Sequence, residues 1–231
     1  MSADTPVSQT PVNPKKPARE NALQDTKQAN EIAAAERLLT TIQTQPALKD
    51  ALTKLGYDEA EIGTGTALQA GALAKYTLRQ TELAIASQNM EARDTIAKAA
   101  EDEFSSYRQT VQALYKGPER ATLGASGQIP DDIEVFATTA RTAYTAAQKE
   151  PYASKLATRG FSPARSAAAF IALTAYSNAD AAGKASQKTA VAATTARNTA
   201  VKAVNDWVAE LRKVAKANLK KTPELLALMQ E

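Results

Sequence analysis

Hydrophobic positions recur at helical spacing along most of this chain. Ile32, Ala35, Leu39 and Ile42 fall three and four apart and predict an amphipathic helix from about Leu23 to Gln43. Pro46 suits the first position of a short helix through Leu55, whose inner side carries Leu48, Leu52 and Leu55. Gly56 is a natural stop, and Asp58 with Glu61 three residues later reads as a capping box. No proline follows until Pro118, so the simplest reading is one very long helix from Asp58 to Gly117. Gly63, Gly65 and Gly71 soften its first turns, and Ser87-Gln88-Asn89 is the place where it would bend. Its second half has heptad spacing, with Ala97, Ala100, Phe104, Tyr107, Val111 and Leu114 at successive a and d positions.

The remainder follows the same plan. Gly117-Pro118 ends the long helix, and residues 118–130 read as a linker. Asp131 and Glu134 form a capping box straight after Pro130, opening an element with Ile133, Phe136, Ala140 and Ala147 inward. Pro151 leads a short helix to Arg159, Gly160 stops it, and Ser162-Pro163 caps a second long helix to about Lys220. Val201, Val204, Val208, Leu211 and Ala215 make its ladder, and Thr222-Pro223 starts a terminal turn with Leu225, Leu226, Leu228 and Met229. Between Ser177 and Ala200 the only large aliphatic residue is Val191. Small side chains let helix axes approach closely, so a narrow waist between antiparallel long helices is expected there. The alternative is a poorly packed, exposed stretch.

The likeness of the two halves extends to residue identity. Residues 92–108 (ARDTIAKAAEDEFSSYR) and 196–212 (ARNTAVKAVNDWVAELR) pair without a gap and agree at seven of seventeen positions. Gly56-Tyr57-Asp58 pairs with Gly160-Phe161-Ser162, and Pro46 with Pro151 after a one-residue slip. A match of this size predicts two copies of one helical unit, each covering the other's apolar face. The expected fold is all-α: a pseudo-twofold antiparallel helical bundle of two long and two shorter helices, produced by internal duplication. Residues 22–117 and 131–231 are the two repeats, joined into one domain. Residues 1–21, with Pro6, Pro11, Pro14 and Pro17, are an extended Pro-rich N-terminal arm.

Composition narrows the chemistry. The chain has no Cys and no His, which removes disulfides, thiolate nucleophiles, the commonest general base and the commonest transition-metal ligand. Aromatics are only 5%, and the core must rest on Ala and short aliphatics. A net charge of +3 does not demand a polyanionic partner. No apolar run is long enough to span a bilayer, and the first residues lack the apolar region of a secretory signal, so a cytoplasmic location is expected.

Few residues stand out as candidates. Arg93 and Arg197, matched in the two halves, fall at d positions; each is expected to snorkel to solvent along its stem. The alternative is a register-fixing pair with Asp94, Glu91 or a partner chain. Lys98/Asp102 and Lys202/Asp206 read as i,i+4 pairs on an outer face. Glu101-Asp102-Glu103 point about 100° apart on a helix and cannot converge on one cation. The lysines at 213, 216, 220 and 221 suit a helix C-terminus, with nucleic acid or anionic lipid as the sharper alternative. Trp207 beside the ladder is either core or, if exposed, an interface anchor. Lys15 and Lys16 charge the arm, which is either a solubilising tail or a segment that docks on a neighbour. Arg93, Arg197, Trp207, Lys15 and Lys16 are therefore the candidate interface residues; no catalytic, cofactor or metal residue is indicated.

The order of short Pro-led helix, Gly stop, long Ala/Thr/Gln helix with an Ala-Arg-[Asp/Asn]-Thr segment and Leu-rich terminal turn (TPELLALM) resembles uncharacterised bacterial tandem-repeat, Ala-rich helical-bundle proteins with no assigned function. The resemblance spans roughly residues 26–230 and implies an all-α fold and a bacterial source. It carries over no site residue. Function is expected to be structural or interaction-based rather than enzymatic: a self-associating helical-bundle subunit whose partner is itself, as oligomer or filament. A membrane-surface-binding or membrane-remodelling bundle is the alternative. No nucleic acid, small-molecule substrate or cofactor is expected.

Overall fold

A computed structural model describes residues 17–229 of the chain, with side chains from 23 to 229. Helices hold 84% of the described residues, and no strand occurs among them. In order they are α1 (Pro17–Thr44), α2 (Pro46–Thr53), α3 (Glu59–Leu114), α4 (Pro118–Thr122), α5 (Ile133–Ala147), α6 (Tyr152–Ala157), α7 (Pro163–Asn218) and α8 (Pro223–Ala227).

Local chemistry sets most of these bounds. Pro46 and Pro118 occupy the first turns of α2 and α4, where a missing N–H costs nothing. Gly56 and Gly160 stop the short helices at φ of 92° and 85°, a region that penalises any Cβ. Asp58 Oδ1 accepts from the Glu61 amide at 3.0 Å, and Ser162 Oγ from the Arg165 amide at 3.2 Å, so both long helices open on capped turns.

Several expectations need correction. α1 begins at Pro17, so residues 17–21 are helical rather than part of an extended arm; residues 1–16, with Lys15 and Lys16, lie outside the described residues. The linker contains a helix of its own, α4. α5 is capped by Asp132, which accepts from the Glu134 and Val135 amides at 3.0 Å, and not by Asp131. α3 and α7 run unbroken for 56 residues each, without a bend element at Ser87–Asn89.

The chain divides into two compact units that cut across the expected repeats. Among the described residues, unit 1 comprises 17–79 and 193–229, and unit 2 comprises 80–192. Each takes half of α3 and half of α7. In unit 1, α1 and α2 pack on these halves, with α8 closing one end. Ile32, Ala35, Leu38, Leu39, Ile42, Leu48 and Leu52 meet Val201, Val204, Trp207 and Leu211 in its apolar interior. In unit 2, α5 and α6 do the same, and Phe104, Tyr107, Phe136, Tyr144, Phe161 and Tyr176 form an aromatic interior. α3 and α7 are antiparallel in both: Glu61 meets Trp207 and Arg79 meets Thr194, while Glu103 meets Arg165 and Met90 meets Gln187.

The buried positions of the two units correspond. Ile32, Ala35, Leu38, Leu39 and Ile42 of α1 pair, at one constant offset, with Ala137, Ala140, Ala143, Tyr144 and Ala147 of α5, and all ten are buried. Past Pro46 and Pro151 the offset falls by one and stays there. Leu52/Leu156, Tyr57/Phe161, Ala100/Val204, Tyr107/Leu211 and Val111/Ala215 are then buried on both sides. Side-chain volume is traded between layers: unit 1 sets large aliphatics on α1 against Leu211, whereas unit 2 sets alanines on α5 against Phe104 and Tyr107. Cores tolerate such exchange when total volume and pattern are kept.

The small-residue stretch of α7 is closely packed. Asp180, Gly183, Ser186, Ala190, Ala193 and Arg197 form one buried stripe, while Val191 points out. A Cβ at Gly183 would stand 3.2 Å from Met90 Sδ of α3.

Candidate functional site

Unit 1 contains a buried ionic cluster that begins with Asp25 on α1. One carboxylate oxygen accepts from Arg197 Nη1 of α7 and the other from Arg79 Nη1 of α3, both at 2.5 Å. Arg197 is 2% exposed, and Arg79 is also buried. Arg79 Nε donates to Thr194 Oγ1 at 3.2 Å. Arg197 Nε and Nη2 and Gln28 Nε2 all donate to Asn198 Oδ1 at 3.0–3.2 Å. Burial works to raise the Asp25 pKa, but hydrogen bonds and charge from Arg79 and Arg197 outweigh it and hold it below 3.8. One carboxylate on α1 thus joins α3 and α7.

Arg197 therefore does not snorkel. Its side chain is buried, and α1 brings the counter-charge. Arg93, its sequence match, has a side chain 25% exposed and lies 2.5 Å from Asp94 Oδ1 and 3.9 Å from Asp180 Oδ1. The contact with Asp94 is one of the alternatives that the sequence offers for Arg93; Asp180 reaches it from α7. Lys184 Nζ meets the other Asp180 oxygen at 2.7 Å. On the outer face, Lys202 and Asp206 pair at 2.5 Å.

Trp207 is interior, not an exposed anchor. Its ring meets Tyr57 edge to face at 6.2 Å between centroids, and Nε1 donates to Glu61 Oε1 at 2.8 Å. The Glu61 side chain thus serves the indole rather than closing the capping box. The matched pair in unit 2 is Arg165 and Glu103, joined by two hydrogen bonds of 2.7 and 2.9 Å, with the guanidinium 4.7 Å from the Phe161 ring centre. The same two places in the two units are bridged by different chemistry.

Two clefts repeat this correspondence. One, of about 400 Å³, is lined by Gln43, Lys49, Tyr57, Glu59 and Ile62 among others. The other, of about 310 Å³, is lined by Ala147, Gln148, Ala153, Phe161, Pro163 and Ser166, of which Gln148, Ala153, Phe161, Pro163 and Ser166 match those five positions. Burial and the charges of Glu210 and Glu61 raise the Tyr57 pKa. Lys49, Tyr57 and Glu59 of the first cleft are replaced by Ala153, Phe161 and Pro163 in the second, while Gln43 is retained as Gln148, so the clefts share a shape and only part of their polar lining.

No family model, curated protein or solved structure matches this chain. The resemblance drawn above rests on sequence pattern alone.

Elsewhere the surface carries unusual features. Ile171 is 72% and Val191 67% exposed on α7, and Leu73, Leu78, Leu83 and Ile85 are exposed on α3. Among the described residues no group of acidic residues is placed to hold a metal ion, and no helix is long and apolar enough to cross a membrane. Sequence reading missed Asp25, Arg79 and Asp180. The signal for Arg79 was present, since the heptad seam of Ala97 and Ala100, extended toward the N-terminus, passes through Ala86, Arg79 and Ala72, all buried.

Proposed function

We propose that this chain is a non-enzymatic structural protein that associates with further copies of itself, built by internal duplication of a four-helix segment. The exposed aliphatic residues on α3 and α7 carry the reading: a large apolar side chain such as Ile171 loses unfavourable hydration when covered. Among its interior ionisable residues, Asp25, Arg79 and Arg197 are engaged in pinning helices. Duplication is supported by the equal lengths of α3 and α7 and the constant offset of the buried positions. Sedimentation velocity of the full chain over a hundredfold concentration range, with electron microscopy, tests the proposal. Larger species should grow with concentration, and a monomer throughout would refute it.

A second reading has its own observation. Arg212, Lys213, Lys216, Lys220 and Lys221 are exposed near the half-buried Leu225, Leu226 and Leu228. Such a surface suits anionic lipid. Co-flotation with anionic vesicles that vanishes at high salt would favour it.

A further inference from the structure

In unit 2 the chain leaving α4 folds back over the end of α3 as a strap. Gln112 Nε2 donates to Ala125 O at 2.9 Å, and Arg108 Nη2 to Gly127 O at 2.5 Å. Gly124 and Gly127, at φ of 65° and 73°, let the strap turn into place, and Ala125 is buried beneath it. The matched positions at the end of α7 in unit 1 are Arg212 for Arg108 and Lys216 for Gln112. Among the described residues neither has a hydrogen-bond or ion-pair partner. With Leu226 and Met229 they line an open cavity of about 250 Å³. Among the described residues nothing fills in unit 1 the seat that unit 2 fills with its own strap, and one neutral donor has become a cation.

We infer that the Arg212–Lys216 cavity is a docking seat for an extended, acidic peptide segment of a partner protein. The mode is visible in the counterpart: main-chain carbonyls accept from the donors on the long helix while a small apolar side chain is buried beneath. Charge selects the occupant. Between residues 210 and 229 five cations (Arg212, Lys213, Lys216, Lys220 and Lys221) face two carboxylates, Glu210 and Glu224. Carboxylates on the docked segment would form charge-assisted hydrogen bonds with Arg212 and Lys216. In the strap, Ser126 and Gln128 are exposed, so these are the positions where acidic residues would meet the cationic rim. The inference is independent of self-association, since it concerns one chain and one peptide.

The probe is a fluorescently labelled octapeptide with the sequence of residues 123–130 carrying S126E and Q128E, titrated by anisotropy with the full chain. Saturable binding is expected, weakened about tenfold or more by Arg212→Ala with Lys216→Ala and unchanged by Lys188→Ala on the exposed face of unit 2. All three substituted side chains are solvent-exposed, so the folded state should survive, as circular dichroism will show. No saturable binding, or equal binding by the double variant, would overturn the inference. So would binding that appears only after removal of Gln230 and Glu231, which would make the chain's own last residues the occupant. Flotation with phosphatidylserine vesicles through the same two residues, without peptide binding, would overturn it in favour of a lipid surface.

Discussion

The indole of Trp207 on α7 lies so close to Gly65 on α3 that a Cβ at Gly65 would collide with three atoms of its six-membered ring. Gly63 and Gly71 on the same helix have open space where a Cβ would go. All three glycines weaken the isolated helix alike, since Gly costs about 0.8–1 kcal/mol relative to Ala in a helix interior. Packing should therefore reverse the sign at one site. Gly63→Ala and Gly71→Ala are expected to stabilise unit 1 by about 0.5–1 kcal/mol. Gly65→Ala should destabilise it by about 1–2 kcal/mol through overpacking. Urea denaturation of the three variants measures this; stabilisation by Gly65→Ala would mean that the indole does not occupy this place.

The ionic cluster makes a second, pH-dependent prediction. The folded-state pKa of Asp25 lies below its ordinary value of 3.8, so its contribution is fully present above that value. It is lost as pH falls through the depressed folded value, because protonation then favours the unfolded chain. Asp25→Ala should cost about 3 kcal/mol at neutral pH, leaving Arg79 and Arg197 buried without their shared counter-charge. The variant should also lose part of the acid-induced fall in stability below pH 3.8. Thermal melts of both proteins between pH 2 and 7 decide it, and parallel pH profiles would remove Asp25 from its assigned place.

Which parts of this architecture can be read from sequence follows from the range of each interaction. Pro46, Gly56, Asp58 and Ser162 act on backbone within four residues, and the helix bounds they predict are those observed to within a turn. Asp131 and Asp132 are adjacent and both able to cap, and the choice between them depends on how the chain leaves Pro130. The ladder residues are buried as expected except that Val208 is only partly so, because Trp207 takes the interior position beside it. Arg197 defeats the local reading altogether. Its burial depends on Asp25, far away in sequence, and only the return of α1 alongside α7 brings them together. The compact units are illegible for the same reason: each joins segments from both ends of the match, a relation that similarity alone cannot reveal.

The N-terminal segment yields a third prediction, which rests on the proposed self-association. Residues 1–16 carry Pro6, Pro11 and Pro14 with Lys15 and Lys16 and few apolar side chains. If it docks on a neighbouring copy, deleting residues 1–16 should leave helical content and melting temperature nearly unchanged while lowering the oligomeric state. The deletion stops before Pro17 because α1 begins there. Circular dichroism and sedimentation of the truncated chain test both halves of this expectation, and unaltered assembly would make the segment a passive tail.

The exchange of side-chain volume between the two interiors allows the duplication itself to be tested. In unit 2, Tyr107 donates from its hydroxyl to Leu123 O at 3.0 Å and Ala143 O at 3.2 Å, and burial raises its pKa. The matched residues in unit 1 are Leu211 and, for Ala143, Leu38. Tyr107→Leu alone should leave a cavity and carbonyls without a donor, at about 3 kcal/mol. Ala143→Leu alone should overpack the layer at about 2 kcal/mol, since the Ala143 methyl already stands close to Gly124. Together the two substitutions reproduce the unit 1 pair, and the added leucine can occupy space that the phenol vacates. If the two interiors are variants of one packing scheme, the double variant should lose at least 1 kcal/mol less than the sum of the single losses. Additive losses would mean that the two units reach similar helix patterns through unrelated packing, and the case for duplication would then rest on the sequence match alone.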